Sequence, residues 1–282
     1  MPADNVGTAI PASRRGLVDM LRQRIITALI AGSLLLIVLF ALPEQAARLV
    51  IAILFVGAAW EWSGFLSFST VTGRLAYTAL IAIIQTTVWW FIPAYVSYQL
   101  VLLVAIAWWF SALVWMFFYP TRIPAIVGWV CGALVLIPAY VALDWLYVQS
   151  PQLLLVLLAI VWSADIGAYF AGKKFGRVKL APGISPGKTW EGVVGGLVAV
   201  SILALIGSRW VDENLTVLVP FCIAIALLSI VGDLTVSMFK RHAGVKDSGS
   251  LFPGHGGLLD RMDSVAGAST LFAAGIAMVG IG

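Results

Sequence analysis

Charge is what this sequence has least of: 11% of its 282 residues are Asp, Glu, Lys or Arg, where a soluble domain carries about 25%. That shortage excludes an ordinary water-soluble globular protein. Cysteine is scarcer still. Cys131 and Cys222 both lie in apolar runs with no Cys or His at ligand spacing, so two inert thiols are expected and no zinc site. The chain has no internal repeat and no low-complexity tract. Its apolar runs also lack the period-2 alternation of barrel strands, which excludes a transmembrane barrel.

What is present is apolar: 61% of the residues are hydrophobic and the mean hydropathy is +1.02. Runs long enough to cross ~30 Å of hydrocarbon recur at about 25–42, 49–65, 75–92, 100–119, 123–143, 153–171, 190–206, 215–239 and 265–281. In lipid each backbone donor and acceptor must be satisfied within its own segment, so these runs are helices. The expected fold is all-α, a polytopic membrane protein with about nine transmembrane helices. Arg14, Arg15, Arg22 and Arg24 precede the first run as they would in a signal peptide. The eight spans that follow favour an uncleaved first helix.

Charge then orients the helices. With the N-terminus in the cytoplasm, 15 of the 17 basic residues fall on one side and only Arg48 and Arg209 on the other. The positive-inside bias makes the crowded side cytoplasmic. The pI of 9.2 therefore records topology, and nucleic acid is not an expected partner. Tryptophans at span ends (Trp62, Trp89, Trp90, Trp145, Trp190, Trp210) fit an interfacial belt, whereas Trp108 and Trp109 sit in mid-span. Residues 1–24 read as a cytoplasmic segment, 25–150 as five spans of little polarity, and 151–282 as the catalytic region, with cytoplasmic loops at 172–189 and 240–264.

Polar residues inside the spans mark where chemistry could sit, because intramembrane charge is expensive and functional by default. In the first half the one candidate is Glu61, between Trp60 and Trp62, close enough to the cytoplasmic end of its helix to reach headgroups. Asp165 lies ~18 Å along its helix at 1.5 Å per residue, still in hydrocarbon, where a charge costs roughly 2.5–3.5 kcal/mol. Tyr169 and Lys173 follow at i+4 and i+8 and extend one polar stripe. The stripe either bonds internally or lines a cavity. In the eighth span Ser229, Asp233, Ser237 and Lys240 share one face, with Asp233 ~27 Å from the start of the helix, at the depth of lipid phosphates.

The segment SMFKRHAGVKDSGSLFPGHGGLLDRMD, Ser237 to Asp263, follows that face and is longer than a simple connection needs. Asp260 and Asp263, at i and i+3, lie on one helical face. Carboxylates without Cys favour a hard, oxygen-ligated ion such as Mg²⁺, completed by substrate phosphates and water. A solvated loop whose acids pair with Lys246 and Arg261 is the plainer alternative. Upstream, PGISPGKT (182–189) falls one glycine short of a Walker phosphate loop and lies between membrane helices, not after a buried strand. It reads instead as a helix start, with Ser185 as N-cap and Pro186 at the first helical position. The free amides and Lys188 would then face the interface. Gly192 and Gly196 let that helix approach a neighbour closely.

Ser237 to Asp263 resembles the signature of the CDP-diacylglycerol synthase (phosphatidate cytidylyltransferase) family: S-x-x-K-R-x-x-x-x-K-D, an apolar-P-x-H-G-G segment, then D-R-x-D. Ser185-Pro-Gly-Lys-Thr-Trp-Glu-Gly192 is similar to the family's S-P-x-K-T-x-E-G element, and Asp165-Ile-Gly-Ala-Tyr169 to its intramembrane Asp segment. The resemblance implies a nucleotidyltransferase of phospholipid biosynthesis in the cytoplasmic membrane, converting CTP and phosphatidate into CDP-diacylglycerol and pyrophosphate with Mg²⁺. Family likeness also suggests a homodimer, for which the sequence carries no motif. On this reading Asp233 and Asp260 bind the metal, with Asp263 as third ligand or orienter. Lys188, Lys240, Arg241 and Lys246 neutralise phosphates, Ser185 and Ser237 donate hydrogen bonds, and Asp165 and Tyr169 line the substrate site. His255 either contacts a phosphate or fixes its loop. The alternatives are a CTP-dependent lipid kinase, a cytidylyltransferase for another anionic lipid and, from a different class, a transporter that carries ions on Asp165 and Asp233.

Overall fold

The computed structural model describes residues 29–66, 70–91, 95–210, 214–249, 251 and 256–279. The described chain begins with α1 (Leu29–Phe40). There follow α2 (Glu44–Ser63), α3 (Val71–Phe91), α4 (Tyr95–Met116), α5 (Ala125–Gln149) and α6 (Pro151–Phe175), then strands β1 (Lys179–Ala181) and β2 (Ser185–Thr189), and finally α7 (Trp190–Gly207), α8 (Leu215–His242) and α9 (Leu259–Val279). Seven of these helices, α2 to α8, are long and apolar enough to cross a membrane. Their outward faces carry large apolar side chains such as Val194, Val198 and Ile202 of α7, the exposure of a surface that meets lipid. The chain is a multi-pass integral membrane protein, helical apart from one two-stranded hairpin among the described residues.

The hairpin corrects the sequence reading of 182–189. Ser185 does not cap a helix; it opens β2, whose antiparallel register sets Lys179 opposite Thr189 and Ala181 opposite Ser185. The cap of α7 is Thr189, whose Oγ1 accepts from the Gly192 amide at 3.1 Å. The Ser-Pro pair carries the local signature of a helix start, but strand pairing with 179–181 overrides it. Glu191 fastens the base, its carboxylate accepting from the Val178 amide at 3.1 and 3.3 Å. At the tip, Ile184 is buried and its carbonyl accepts from Arg241 Nε at 3.1 Å, tying the hairpin to the last turn of α8.

Two helix pairs pack closest, α6 on α7 and α8 on α9. As expected, glycine permits the first: a Cβ on Gly196 would stand 2.7 Å from the Ala164 carbonyl oxygen. The second pair matters more for the site. A Cβ on Gly232 would stand 2.5 Å from the carbonyl oxygen of Asp263, so α8 and α9 can approach this closely only with glycine there. Residues 233 and 263 are thereby brought side by side.

The core runs through the first half as well. Phe239 of α8 packs against Trp62 (ring centroids 4.8 Å apart) and Trp115 (5.9 Å), which gathers the ends of α2, α4 and α8 at one end of the bundle. Trp108 and Trp109, outside the interfacial belt, are core residues of α4. Cys131 and Cys222 are buried and unpaired. At the opposite end Arg48 and Asp144 form a bidentate ion pair, Nε to Oδ1 2.8 Å and Nη2 to Oδ2 2.8 Å. Sequence reading gave no hint of it, because 96 residues separate the partners.

Candidate active site

Four elements deliver the polar side chains to one end of the bundle. The last turns of α6 and α8, the first turn of α9 and the hairpin's second strand meet there. Lys188 Nζ lies 2.5 Å from Asp233 Oδ2, and Ser237 Oγ, one turn along α8, donates to Asp233 Oδ1 at 3.1 Å. The i, i+4 spacing legible in the sequence thus forms a real bond, and the lysine of the hairpin completes it.

Lys240 sits deeper. It is 7% exposed, and its ammonium lies 2.7 Å from Asp260 Oδ1 and 4.0 Å from Asp263 Oδ2. Expected as a phosphate ligand, it serves here as the internal counter-ion of two aspartates. Asp263 accepts from the Ser264 amide at 2.8 Å, and the charges acting on it are those of Asp233, Lys240 and Lys188. Asp165 in turn lies in the field of Asp233, Lys188 and Arg261. One electrostatic network therefore runs from α6 through the hairpin to α8 and α9.

Asp260 joins this network through Lys240 but also bonds to backbone amides. Its Oδ2 accepts from the amides of Ser248 and Gly257, each at 2.9 Å, while Oδ1 takes Lys240. Reaching back three residues to Gly257 is the move of a capping box. Both oxygens are thus engaged, Oδ2 holding the loop to the start of α9 and Oδ1 tying α9 to α8. Among the described residues no three His, Cys, Asp or Glu side chains are gathered as a ready metal site.

Glu61 is the residue whose place differs most from expectation. It does not reach out to headgroups; it is 8% exposed and turned inward to the start of α9. Its Oε1 accepts from the Leu258 amide at 2.9 Å, and its Oε2 from the Leu259 amide at 2.8 Å and from Ser248 Oγ at 2.6 Å. A helix N-terminus presents unsatisfied amides and the positive end of its dipole, and a carboxylate answers both. A Cβ on Gly249 would lie 2.5 Å from Glu61 Oε1, so the loop needs glycine to close over the carboxylate. Glu61 is therefore the bolt that joins the first half of the chain to the loop before α9 and to the helix start that carries Asp260.

Beside the charged cluster, α6, α7, β2 and α8 enclose a cavity of about 370 Å³ lined by Asp165, Tyr169, Lys173 and Lys188 together with apolar side chains. The stripe on α6 lines a cavity, the second of its two readings, and Lys173 also stacks over the Tyr169 ring at 5.6 Å. Lys246 is exposed, Arg241 holds the hairpin, and Ser185 lies in β2 facing Ala181. His255 lies outside the described residues.

Carboxylates and lysines concentrated at one end of a polytopic helical bundle, next to a mainly apolar cavity, are features of a membrane enzyme that handles anionic substrates. The chain belongs to the cytidylyltransferase family, whose model matches residues 22–279. A phosphatidate cytidylyltransferase of Pseudomonas aeruginosa is 41% identical over 264 residues, covering 90% of this chain and 96% of that protein. One of Haemophilus influenzae is 34% identical over 287 residues, covering 90% and 97%.

Proposed function

We propose that this protein is a phosphatidate cytidylyltransferase, making CDP-diacylglycerol and pyrophosphate from CTP and phosphatidate. The observation that carries the reading is the cluster of Lys188, Asp233, Lys240 and Asp263 beside the cavity, in a chain that matches named enzymes of this activity over nine-tenths of its length. A phosphate oxygen of phosphatidate attacks the α-phosphorus of CTP, and the bond to the departing pyrophosphate breaks. The attacking phosphomonoester, with a second pKa near 6, is already largely ionised at neutral pH, so no general base is required. The protein's task is to bring two polyanions together and to stabilise charge at the transferred phosphorus.

The residues fit Mg²⁺, though with a different assignment from the one the sequence suggests. Asp233 repels both Asp165 and Asp263, a crowding of like charge that a divalent cation would relieve. Asp233 and Asp263 would hold it, since Mg²⁺ characteristically takes one or two carboxylates and completes its shell with water and substrate phosphate. Asp260 is the organiser, keeping Lys240 and the loop in place. Bound there, Mg²⁺ would neutralise phosphate charge and orient the phosphates. Lys188, on β2 and partly exposed, would exchange Asp233 for a phosphate when substrate arrives. Tyr169 and Lys173 would meet the lipid phosphate in the cavity, whose apolar walls suit the start of the acyl chains.

The site end of the bundle is read as the cytoplasmic one: threading the sequence with the N-terminus inside puts 15 of 17 basic residues on the side of Lys188 and Lys240, and the positive-inside bias supports that orientation. CTP reaches it from the cytosol and phosphatidate from the bilayer. The homodimer suggested by family likeness is tested by the mass of the protein in nanodiscs. Radiolabelled CTP and phosphatidate, with and without chelator, test the function itself: labelled CDP-diacylglycerol and free pyrophosphate are expected, and their loss with chelator. Release of CDP would identify a lipid kinase instead.

A further inference from the structure

At the end of the bundle away from the charged cluster, α2, α3 and α5 border a second groove, of about 410 Å³. Its walls are mainly apolar and include Ile53, Trp89 and Trp90, but Gln85 and Tyr140 also line it. Gln85 is 2% exposed and Tyr140 0%. Neither amide atom of Gln85 nor the Tyr140 hydroxyl has a hydrogen-bond partner. Buried polar groups are almost always satisfied, and within a bilayer no bulk water does it for them. Both residues line the groove with their polar atoms just behind its wall, so a small turn of either side chain brings an unmatched donor to an occupant.

The neighbouring charge narrows its chemistry. Arg48 lies over the Trp89 ring at 5.0 Å and is neutralised by its bidentate pair with Asp144, while no cation lines the groove among the described residues. A phosphate would find nothing to hold it; an uncharged acceptor would find two donors. Depth and access narrow it further. Gln85 lies ~9 Å from the end of α3, with Trp89 and Trp90 in between as interfacial residues, which is where ester linkages of glycerolipids lie. Ile53 and Trp90, 59% and 76% exposed, put the mouth of the groove on the lipid-facing surface.

We propose that this groove binds the glycerol ester region of a membrane diacyl lipid, the Gln85 amide and the Tyr140 hydroxyl donating to its ester carbonyls. The Gln85 oxygen is left to water that accompanies the esters. The site is independent of the catalytic reading and would act in the leaflet opposite the cluster.

The full chain, reconstituted in phosphatidylcholine vesicles, is irradiated with trace diester phospholipids bearing a diazirine in one acyl chain, and adducts are mapped by mass spectrometry. Labelling of residues 49–56 and 82–90 should exceed that of the lipid-facing residues 194–202 of α7. It should fall by about fivefold, the change expected for one lost hydrogen bond, in Gln85→Leu and in Tyr140→Phe. A dialkyl ether probe, which lacks the carbonyls, should lose the excess, whereas choline and anionic glycerol headgroups should label equally. Ala52→Trp, which fills the groove and leaves both polar groups in place, should abolish it and covers the case in which Gln85→Leu fails to fold. Labelling no greater than on α7 would mean a groove holding only water or covered by a second copy, and would overturn the proposal. So would ether labelling equal to ester, or preference for the anionic headgroup.

Discussion

Replacing Glu61 by alanine should undock the start of α9 without unfolding the bundle. Three donors now end on that carboxylate: two backbone amides and the Ser248 hydroxyl. A hydrogen bond to a charged group contributes about 1.5–3 kcal/mol, and a buried amide left without a partner costs about 1–3 kcal/mol. Allowing for partial rescue by water entering the gap, a net loss of ~3 kcal/mol is a conservative figure for the two amides together. At 1.4 kcal/mol per tenfold change, that raises the population of the undocked loop by about 10²-fold. Hydrogen exchange followed by mass spectrometry reads this directly. In Glu61→Ala the Leu258 and Leu259 amides should exchange about 10² times faster, while amides in the middle of α8 keep their wild-type rates. Glu61→Gln, which retains one acceptor oxygen, should fall between. CTP turnover should drop in the same order, because Asp260 and Lys240 are held through this loop. Wild-type protection at Leu258 and Leu259 in Glu61→Ala would refute the reasoning.

Other substitutions probe separate links. Gly232→Ala should force α8 and α9 apart by roughly 1 Å to relieve the contact with the Asp263 carbonyl, and a misplacement of that size costs about 10²-fold in rate; turnover near wild type would show that the helix spacing is unimportant. Lys188→Met should lower pyrophosphate release by about 10²–10³-fold, as expected for losing a stabiliser of developing phosphate charge, with Lys188→Arg recovering part of it. Thr189→Ala removes the cap of α7 and should cost ~1 kcal/mol of stability in thermal unfolding, with a small effect on rate at saturating substrate.

Seven of the nine expected membrane helices are matched by long apolar helices among the described residues, legible because hydropathy over some twenty residues is a local property, and so was the polar face of α8, where Ser237 does bond to Asp233 one turn away. The cavity stripe Asp165, Tyr169, Lys173 was legible for the same reason. What escaped depends on partners distant in sequence. Ser185-Pro186 has the chemistry of a helix start, and only the pairing of β2 with 179–181 makes it a strand. Glu61 looked like an interfacial carboxylate because its donors lie 187 to 198 residues away. The roles of Asp260 and Asp263 differ although they are three residues apart: one turns back to cap the loop and the other lies buried in the field of Asp233. Spacing alone puts both on the same face and cannot divide the work between them.

That division is the central claim, and pyrophosphate release from CTP and phosphatidate by purified variants in detergent tests it most directly. Asp233→Asn and Asp263→Asn should each abolish turnover, leave thermal unfolding within a few degrees of wild type, and resist rescue by raised Mg²⁺. Asp260→Asn should instead destabilise the protein and retain measurable turnover. Activity near wild type in both Asp233→Asn and Asp263→Asn would contradict the account.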